Sequence, residues 1–396
     1  MKRANAAYVA LIVCCALPVL CLLGVLVRGE RAASELENRP LTRFPAFSFS
    51  SFASGKFQDD LEHALGDQYP LGEQIKAAVL DAQNALTQGE GALLTAAFPG
   101  EKNTYAEIAP GYYHFAGDEH RIVERPWDEG KDEARLARQA QAFNAVTGVK
   151  KYIYFIRNSR SQDFAAGQAE NAAVYERVRA AYRADGSACF AAEDYGAFCD
   201  VFYQTDHHWN HRGADRGYRE ILALLGVEEA PLEPQKEWTF DAVFNGSYAR
   251  QTKLLCADEA FSVFSYPLPK MQVTLNGKRG QYGHQALYEK QKYPTDALRN
   301  HYAYYYGGDY GEIVIDSGRA TGRNLLLVAD SYSNPINMLL ASHFEKTFVI
   351  DLRYYQQDRG EEFDWQKYID GHGVDTVLLL GDVALFAGAQ EGEATE

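Results

Sequence analysis

The sequence predicts an α/β fold built on a parallel sheet, and three observations carry that prediction. Short β-rich runs recur through the body of the chain, helical stretches separate them, and the runs are apolar without interruption rather than alternating. Strands covered on both faces have that composition, and parallel strands need helical crossovers between them. In chain order the strands are expected at Tyr152 to Ile156 (YIYFI), Asn324 to Ala329 (NLLLVA), Thr347 to Asp351 (TFVID) and Thr376 to Leu380 (TVLLL). Helices are expected at 132–147, 168–184, 213–225, 335–342 and 364–370.

The 396 residues, 46% hydrophobic and 13% aromatic, suffice for one large domain with an appendage or for two domains. A net charge of −15 argues against nucleic acid as a partner, because phosphate binding requires a basic surface. It also leaves membrane association to apolar segments. One exists: after Lys2 and Arg3, Ala6 to Val27 carries no charge, and Arg28, Glu30 and Arg31 close it. That length spans a bilayer as one helix, so residues 1–28 read as an N-terminal membrane anchor, with a cleaved signal peptide as the alternative. The rest of the chain is then extracytoplasmic, anchored to the cell membrane or secreted after cleavage.

Residues 29–104 read as a juxtamembrane and helical stalk, Pro-, Ser- and Phe-rich first and then with apolar residues at helical spacing. Residues 105–386 hold the catalytic-looking domain, and 387–396 form an acidic tail expected to be disordered. Three of the six cysteines, Cys14, Cys15 and Cys21, lie in the apolar run. Cys189 and Cys199 either close a small loop or stay free, and without a C-x-x-C pair no thiolate zinc site is expected.

Ligands of open parallel sheets gather at the carboxyl ends of strands, which singles out Asp330 and Ser331, and Asp351 with Arg353. In LLLVADSYSNPINMLL, Ser331 follows a buried strand, with Asn334 placed as a helix cap and Pro335 in the first turn. On this segment alone Ser331 and Ser333 read more readily as turn-stabilising serines, since a lone Asp-Ser is weak evidence of a nucleophile. A serine nucleophile needs an imidazole base and a group that orients the imidazole. YQTDHHWNHRGADRGYREILALLG supplies both on the loop entering a helix near Arg212: D-x-H spacing lets Asp206 and His208 point the same way. Two other readings stand beside it. Asp206, His207, His208 and His211 are a candidate metal set, and Thr205, Asp206 and Asn210 are candidate caps with Trp209 packing beneath.

TDHHW with ADSYSNP downstream resembles the bacterial DHHW proteins, relatives of the SGNH-like alginate O-acetylation proteins of the AlgX and AlgJ type. The resemblance continues through ENRPLTRFPAFSFSSFASGKFQDDLEHALGDQYP, FNGSYARQT, HYAYYYGGDY and VIDLRYY, and so covers most of the chain. It implies an SGNH-hydrolase-like, flavodoxin-like three-layer fold with permuted motif order, Asp and His preceding Ser. It also implies Ser331 as nucleophile, His208 as base and Asp206 as its orienting acid, with His207 in the variable place of the motif. Ala329 departs from the Gly of the usual Gly-Asp-Ser block.

FNGSY offers the Gly246 N–H first, and the Asn245 amide second, as a further oxyanion donor, unless it is an ordinary glycine turn. Arg353 and Tyr354 either touch a sugar or hold Asp206, against a structural ion pair, and Tyr332 joins them as a substrate-side or supporting residue. The tyrosines of HYAYYYGG read as a stacking surface for carbohydrate or as strand alternation.

The function implied is a serine acyltransferase or esterase acting on O-acetyl groups of a cell-envelope or secreted polysaccharide. It needs no cofactor, and its partner would be an integral-membrane protein supplying the acyl group. The alternatives are a non-catalytic polysaccharide-binding or scaffold protein and a metal-dependent hydrolase.

Overall fold

The structure is a computed structural model and describes residues 16, 23–25, 27–31, 33–34, 39–97, 105–115, 118–124, 133–161, 168–255, 258–292 and 298–388. Most of the apolar run Ala6 to Val27 and of the expected acidic tail lies outside them. Among the described residues no helix is long and apolar enough to cross a membrane. The chain divides into two units, Met1–Pro99 with Arg250–Leu254, and Gly100–Ala249 with Leu255–Glu396.

The first unit is helical, as its apolar spacing predicts: Phe49–Ala53, Lys56–Asp67 and the 26-residue Gly72–Ala97. Its chain entry is tied by the buried Gln68, whose amide donates to the Arg31 and Thr42 carbonyls at 2.9 and 3.0 Å. Asp67 accepts from both the N–H and the hydroxyl of Thr42. Arg250–Leu254 joins this unit through Asn84, which donates to Thr252 O at 2.7 Å, and through the Lys253–Asp81 ion pair.

In the second unit, side chains along each central strand alternate between two apolar cores, which is why these segments are apolar without a break. Tyr154, Ile156, Leu325, Leu327, Leu378 and Leu380 face one core, and Ile153, Phe155, Leu326, Val328, Val377 and Leu379 face the other. The helix His211–Leu224 covers the first face through Ala214, Tyr218, Ile221 and Leu222. Glu133–Ala145, Gln168–Ala181, Trp365–His372 and Val383–Ala387 cover the second. The result is a three-layer arrangement.

The central sheet has eight strands: β1 Lys150–Ile156, β2 Gly186–Phe190, β3 Gln272–Leu275, β4 Lys278–Gly280, β5 Glu312–Asp316, β6 Asn324–Ala329, β7 Lys346–Ile350 and β8 Thr376–Gly381. Their order is β4-β3-β5-β7-β6-β8-β1-β2. The five from β7 to β2 are parallel, and β5, β3 and β4 add an antiparallel edge beside β7. All four expected strands are present within a residue or two of their expected ends, and the antiparallel edge corrects the expectation of a wholly parallel sheet. Counting the parallel strands from β6 gives the order 2-1-3-4-5 of flavodoxin-like sheets, so the topology is that order with the chain start moved. The switch point of such a sheet lies between its first and third strands, here β6 and β8. Ser331 follows β6 directly.

One expectation is corrected locally, and one open alternative is decided. HYAYYY forms the helix His301–Tyr306 rather than a strand, because Asn300 accepts from Ala303 N–H at its start and Gly307, with φ 119°, ends it. Tyr302, Tyr305 and Tyr306 are buried against Tyr203, Phe244 and Phe261, so they offer no open stacking surface. Cys189 and Cys199 are free thiols.

Candidate active site

The loop that carries the histidines is closed at its neck before any side chain chemistry is considered. Phe202 bridges Trp209, and Asn210 N–H bonds Val201 O at 2.8 Å. From outside, Arg121 donates to Tyr203 O at 2.6 Å and Ile122 N–H to Gln204 O at 2.9 Å. Asn210 caps the following helix by accepting from Arg212 N–H and Gly213 N–H, so of the three expected caps it is the one that fills the role. Trp209 is fully buried on the glycine side of that helix. A β-carbon on Gly217 would lie 2.4 Å from its ring, and one on Gly213 2.8 Å from its Cβ.

Asp206 and His208 point the same way, as D-x-H spacing permits. His208 Nδ1 is 2.5 Å from Asp206 Oδ1, and His208 Nε2 is 2.7 Å from Ser331 Oγ. The structure therefore brings together the three residues that the sequence singles out. All three are buried, Ser331 at 7% exposure. The His208 ring stacks on Tyr302, at 4.1 Å between centroids and 21°, and His207 lies tilted against it at 3.9 Å. These close rings restrict its reorientation.

Asp206 is oriented from its other side. Ser247 N–H, at the start of the helix Ser247–Thr252, donates to Asp206 Oδ2 at 2.6 Å, and His208 N–H donates to Oδ1 at 3.0 Å. Two such bonds fix the plane of the carboxyl group. Thr205 anchors the same junction: its hydroxyl accepts from Gly246 N–H at 2.9 Å, and its carbonyl accepts from Tyr248 N–H at 3.0 Å. The Gly246 N–H is thus engaged by Thr205, which corrects its expected first place as an oxyanion donor. Asn245 is buried beside it.

Ser331 opens a short 3-10 turn, Ser331–Ser333, whose cap is Asp330: its carboxylate accepts from Tyr332 N–H at 3.0 Å. Asn334 has a different place from the expected helix cap. It accepts from Tyr282 OH and donates to Asp309, and the helix Asn337–Ala341 starts later. As first residue of the turn, Ser331 has an N–H with no acceptor inside it. Tyr302 OH donates to Ser331 O at 2.9 Å, so one tyrosine both stacks on the His208 ring and holds the Ser331 backbone. Gly381, at the end of β8, comes so near that a β-carbon there would lie 2.6 Å from Asp330 Oδ2.

Tyr332 is buried and bridges the two halves of the site. Its hydroxyl donates to His207 O at 2.5 Å and accepts from Asn158 Nδ2, which also bonds Asp382 at 2.6 Å. It is a supporting residue, and with 1% exposure it has no substrate face. Arg353 closes on Asp351 with contacts of 2.7 to 3.2 Å and reaches Asp309 at 3.5 Å, the arrangement of a structural ion pair, and lies over Tyr354. Burial pushes the Asp351 carboxyl above the usual carboxylate range, against the pull of Arg353.

Asp206, His207 and His208 have ligand-type atoms within 4.8 Å of one another, the spacing a metal ion needs. Their present bonds serve another purpose. Both His208 nitrogens are engaged by Asp206 and Ser331, and His207 Nδ1 contacts Ser247 Oγ at 2.9 Å. His211, the fourth residue of the expected metal set, turns away to Glu237 at 2.8 Å. The donor set suits a Ser-His-Asp relay better than a cation.

Sequence reasoning gave Ser247 and Asn158 no place in the site, read Thr205 only as a candidate cap, and read Tyr302 only within a stacking surface or strand. Ser247 carried a signal, since it adjoins Gly246, which was already singled out.

Comparison with known proteins agrees with this architecture. A DHHW family protein from Eubacterium siraeum superposes with a TM-score of 0.54 at 16% identity, covering 72% of this chain and 96% of its own. Bacillus cereus PatB1 superposes at 0.53 with 19% identity, covering 68% and 95%, and its form with a sulfonyl adduct at 0.50 with 19% identity, covering 69% and 96%. The O-acetyltransferase domain of Pseudomonas putida AlgJ is a looser match, at 0.38 and 9% identity over 68% and 90%. No curated protein sequence matches the chain. A family model described as DHHW protein matches residues 150–350, just over half of the chain, and the chain belongs to the DHHW family.

Proposed function

We propose that this chain is an extracytoplasmic serine acyltransferase or esterase acting on O-acetyl groups of a cell-envelope or secreted polysaccharide, with an SGNH-hydrolase-like triad of Ser331, His208 and Asp206. The observation that carries the reading is the single imidazole of His208, bonded to Asp206 Oδ1 at 2.5 Å and to Ser331 Oγ at 2.7 Å. His208 Nε2 takes the Ser331 proton as Oγ attacks the acyl carbonyl, and Asp206 holds Nδ1–H and offsets the charge of the imidazolium. The oxyanion meets the Ser331 N–H, with the Asn245 amide as the second donor. Nε2–H then protonates the leaving oxygen, and the acyl group stays on Ser331. A sugar hydroxyl or water then gives its proton to Nε2 as it attacks the acyl carbon, the acyl–Oγ bond breaks, and Nε2–H returns the proton to Oγ to restore the serine.

Transfer rather than hydrolysis fits an enzyme held at a membrane by residues 1–28, where an integral-membrane partner presents the acyl group. The test is incubation of the full-length chain with an activated acetyl ester and a panel of glycan oligomers. Acetylated sugar that disappears in Ser331→Ala supports transfer, and acetate alone supports an esterase. A folded protein that forms neither product with any donor, membranes included, favours a polysaccharide-binding role.

A further inference from the structure

The elements that carry the triad also wall a second space, a cavity of about 90 Å³ that neither Ser331 nor His208 lines. His211 comes from the helix entered from His208, Asn334 and Met338 follow Ser331, and Tyr305 and Tyr306 belong to the helix whose Tyr302 stacks on His208. The cavity therefore shares wall segments with the elements that carry the triad. A ligand seated in it would be held in a fixed relation to Ser331.

The lining mixes flat aromatic rings, Phe264 and Tyr266 among them, with the hydrogen-bonding side chains of Gln285 and Glu289. Rings that take the C–H face of a pyranose beside amide and carboxylate groups that take its hydroxyls suit a sugar. The volume is below the roughly 300–1,000 Å³ of pockets that enclose drug-sized ligands, so it seats part of one sugar unit rather than a chain.

Charge narrows the class further. No lysine or arginine is among the described residues that line the cavity, while Glu289 is exposed at its rim and forms no ion pair among the described residues. The polar groups behind the wall are also acidic: Asn334 is backed by Asp309 at 2.9 Å and Tyr266 by Asp215 at 2.8 Å, and the arginines that pair with these carboxylates, Arg353 and Arg219, are each shared with a second carboxylate, Asp351 and Glu233. His211 adds no compensating charge, since burial pulls its pKa down although Glu237 opposes the shift. A uronate carboxylate entering here would meet Glu289 with no lysine or arginine among the described lining residues to receive it, on a protein of net charge −15.

We propose that this cavity is the acceptor-side sugar subsite and that it selects an uncharged sugar unit over a uronate. The word acceptor rests on the acyl-Ser331 reading above, whereas the preference for an uncharged ring stands on the cavity alone.

The experiment is calorimetric or NMR titration of the full-length chain with a neutral glucan oligomer and a polyuronate oligomer of equal length. Wild type, Gln285→Ala and Glu289→Lys are compared, both substitutions being at the rim. The neutral oligomer is expected to bind about tenfold or more tightly than the uronate, and Glu289→Lys to narrow that gap. Gln285→Ala should weaken the neutral oligomer about threefold by removing a hydrogen bond. Cleavage of a small activated acetyl ester, which needs only the triad, should be unchanged in both variants.

Binding of the uronate as tightly as the neutral oligomer, no binding of either, or binding that ignores both substitutions overturns the proposal. If the expected binding pattern appears without any acyl adduct on Ser331, the sugar site stands and the acyl-transfer reading falls. An adduct without that pattern removes the sugar site alone.

Discussion

Gly246 and Asp206 approach so closely that a β-carbon on the glycine would lie 2.3 Å from Asp206 Cβ and 2.4 Å from Thr205 O. Only a glycine lets the FNGSY segment seat its next N–H, that of Ser247, against the Asp206 carboxylate at 2.6 Å. Gly246→Ala should therefore push Asp206 out of register with His208. A misplacement of about 1 Å costs about 100-fold in rate, which single-turnover acylation of Ser331 would register while circular dichroism reports the fold. Full activity in Gly246→Ala would mean that this contact does not position the acid.

Asp206→Asn keeps the shape of the side chain but favours the wrong His208 tautomer for proton abstraction from Ser331. By analogy with other triads the acylation rate should fall by about 10⁴-fold with little change in ester binding. A loss below about tenfold would point to Asp206 as a structural cap rather than a participant.

Glu259 gives the site a pH dependence. This half-buried residue turns its carboxyl inward to accept from Gln204 N–H at 2.7 Å and from Thr205 Oγ1 at 3.4 Å, under the Thr205–Asp206 junction. Burial pushes its pKa up to about 8, against the opposing pull of the Gln204 N–H and Arg121. A carboxyl whose folded-state pKa is raised stabilises fully below its unfolded value and loses that contribution as pH rises through the folded value. The melting temperature of the wild type should thus decline between about pH 5 and 8 more steeply than that of Glu259→Gln, whose amide does not ionise. Parallel melting curves for the two proteins would contradict the assignment.

Trp209 fills the space that Gly213 and Gly217 leave open and closes the neck of the histidine loop with Phe202. Trp209→Ala should cost about 3–5 kcal/mol in chemical denaturation, as truncation of a fully buried aromatic does. Gly217→Ala should also destabilise, by steric conflict with the ring. An unchanged denaturation midpoint in both variants would show that the loop is held elsewhere.

The fold was legible where burial is two-sided. Asn324–Ala329 reads as a strand from its composition because both its faces meet apolar cores. The antiparallel edge was not, since Gln272–Leu275 and Lys278–Gly280 are short and largely open to solvent. Its one local signal is Asn276-Gly277, both with positive φ, the pair that favours a two-residue hairpin. The helix His301–Tyr306 was obscured by β-prone tyrosines, whose preference its two caps override. In the site, the D-x-H spacing and the serine after a strand were visible, because those relations are local. The occupation of the Gly246 N–H by Thr205 was not, because it depends on a contact across 41 positions of the chain.

The central claim is that Ser331 is a nucleophile activated by His208, and intact mass tests it most directly. The full-length chain would be treated with a sulfonyl fluoride and, separately, with an activated acetyl ester, beside Ser331→Ala and His208→Ala. One adduct per chain on Ser331 in the wild type, absent from Ser331→Ala and strongly slowed in His208→Ala, is the result predicted. An adduct that persists in Ser331→Ala, or a folded wild type that takes up neither reagent, would contradict it.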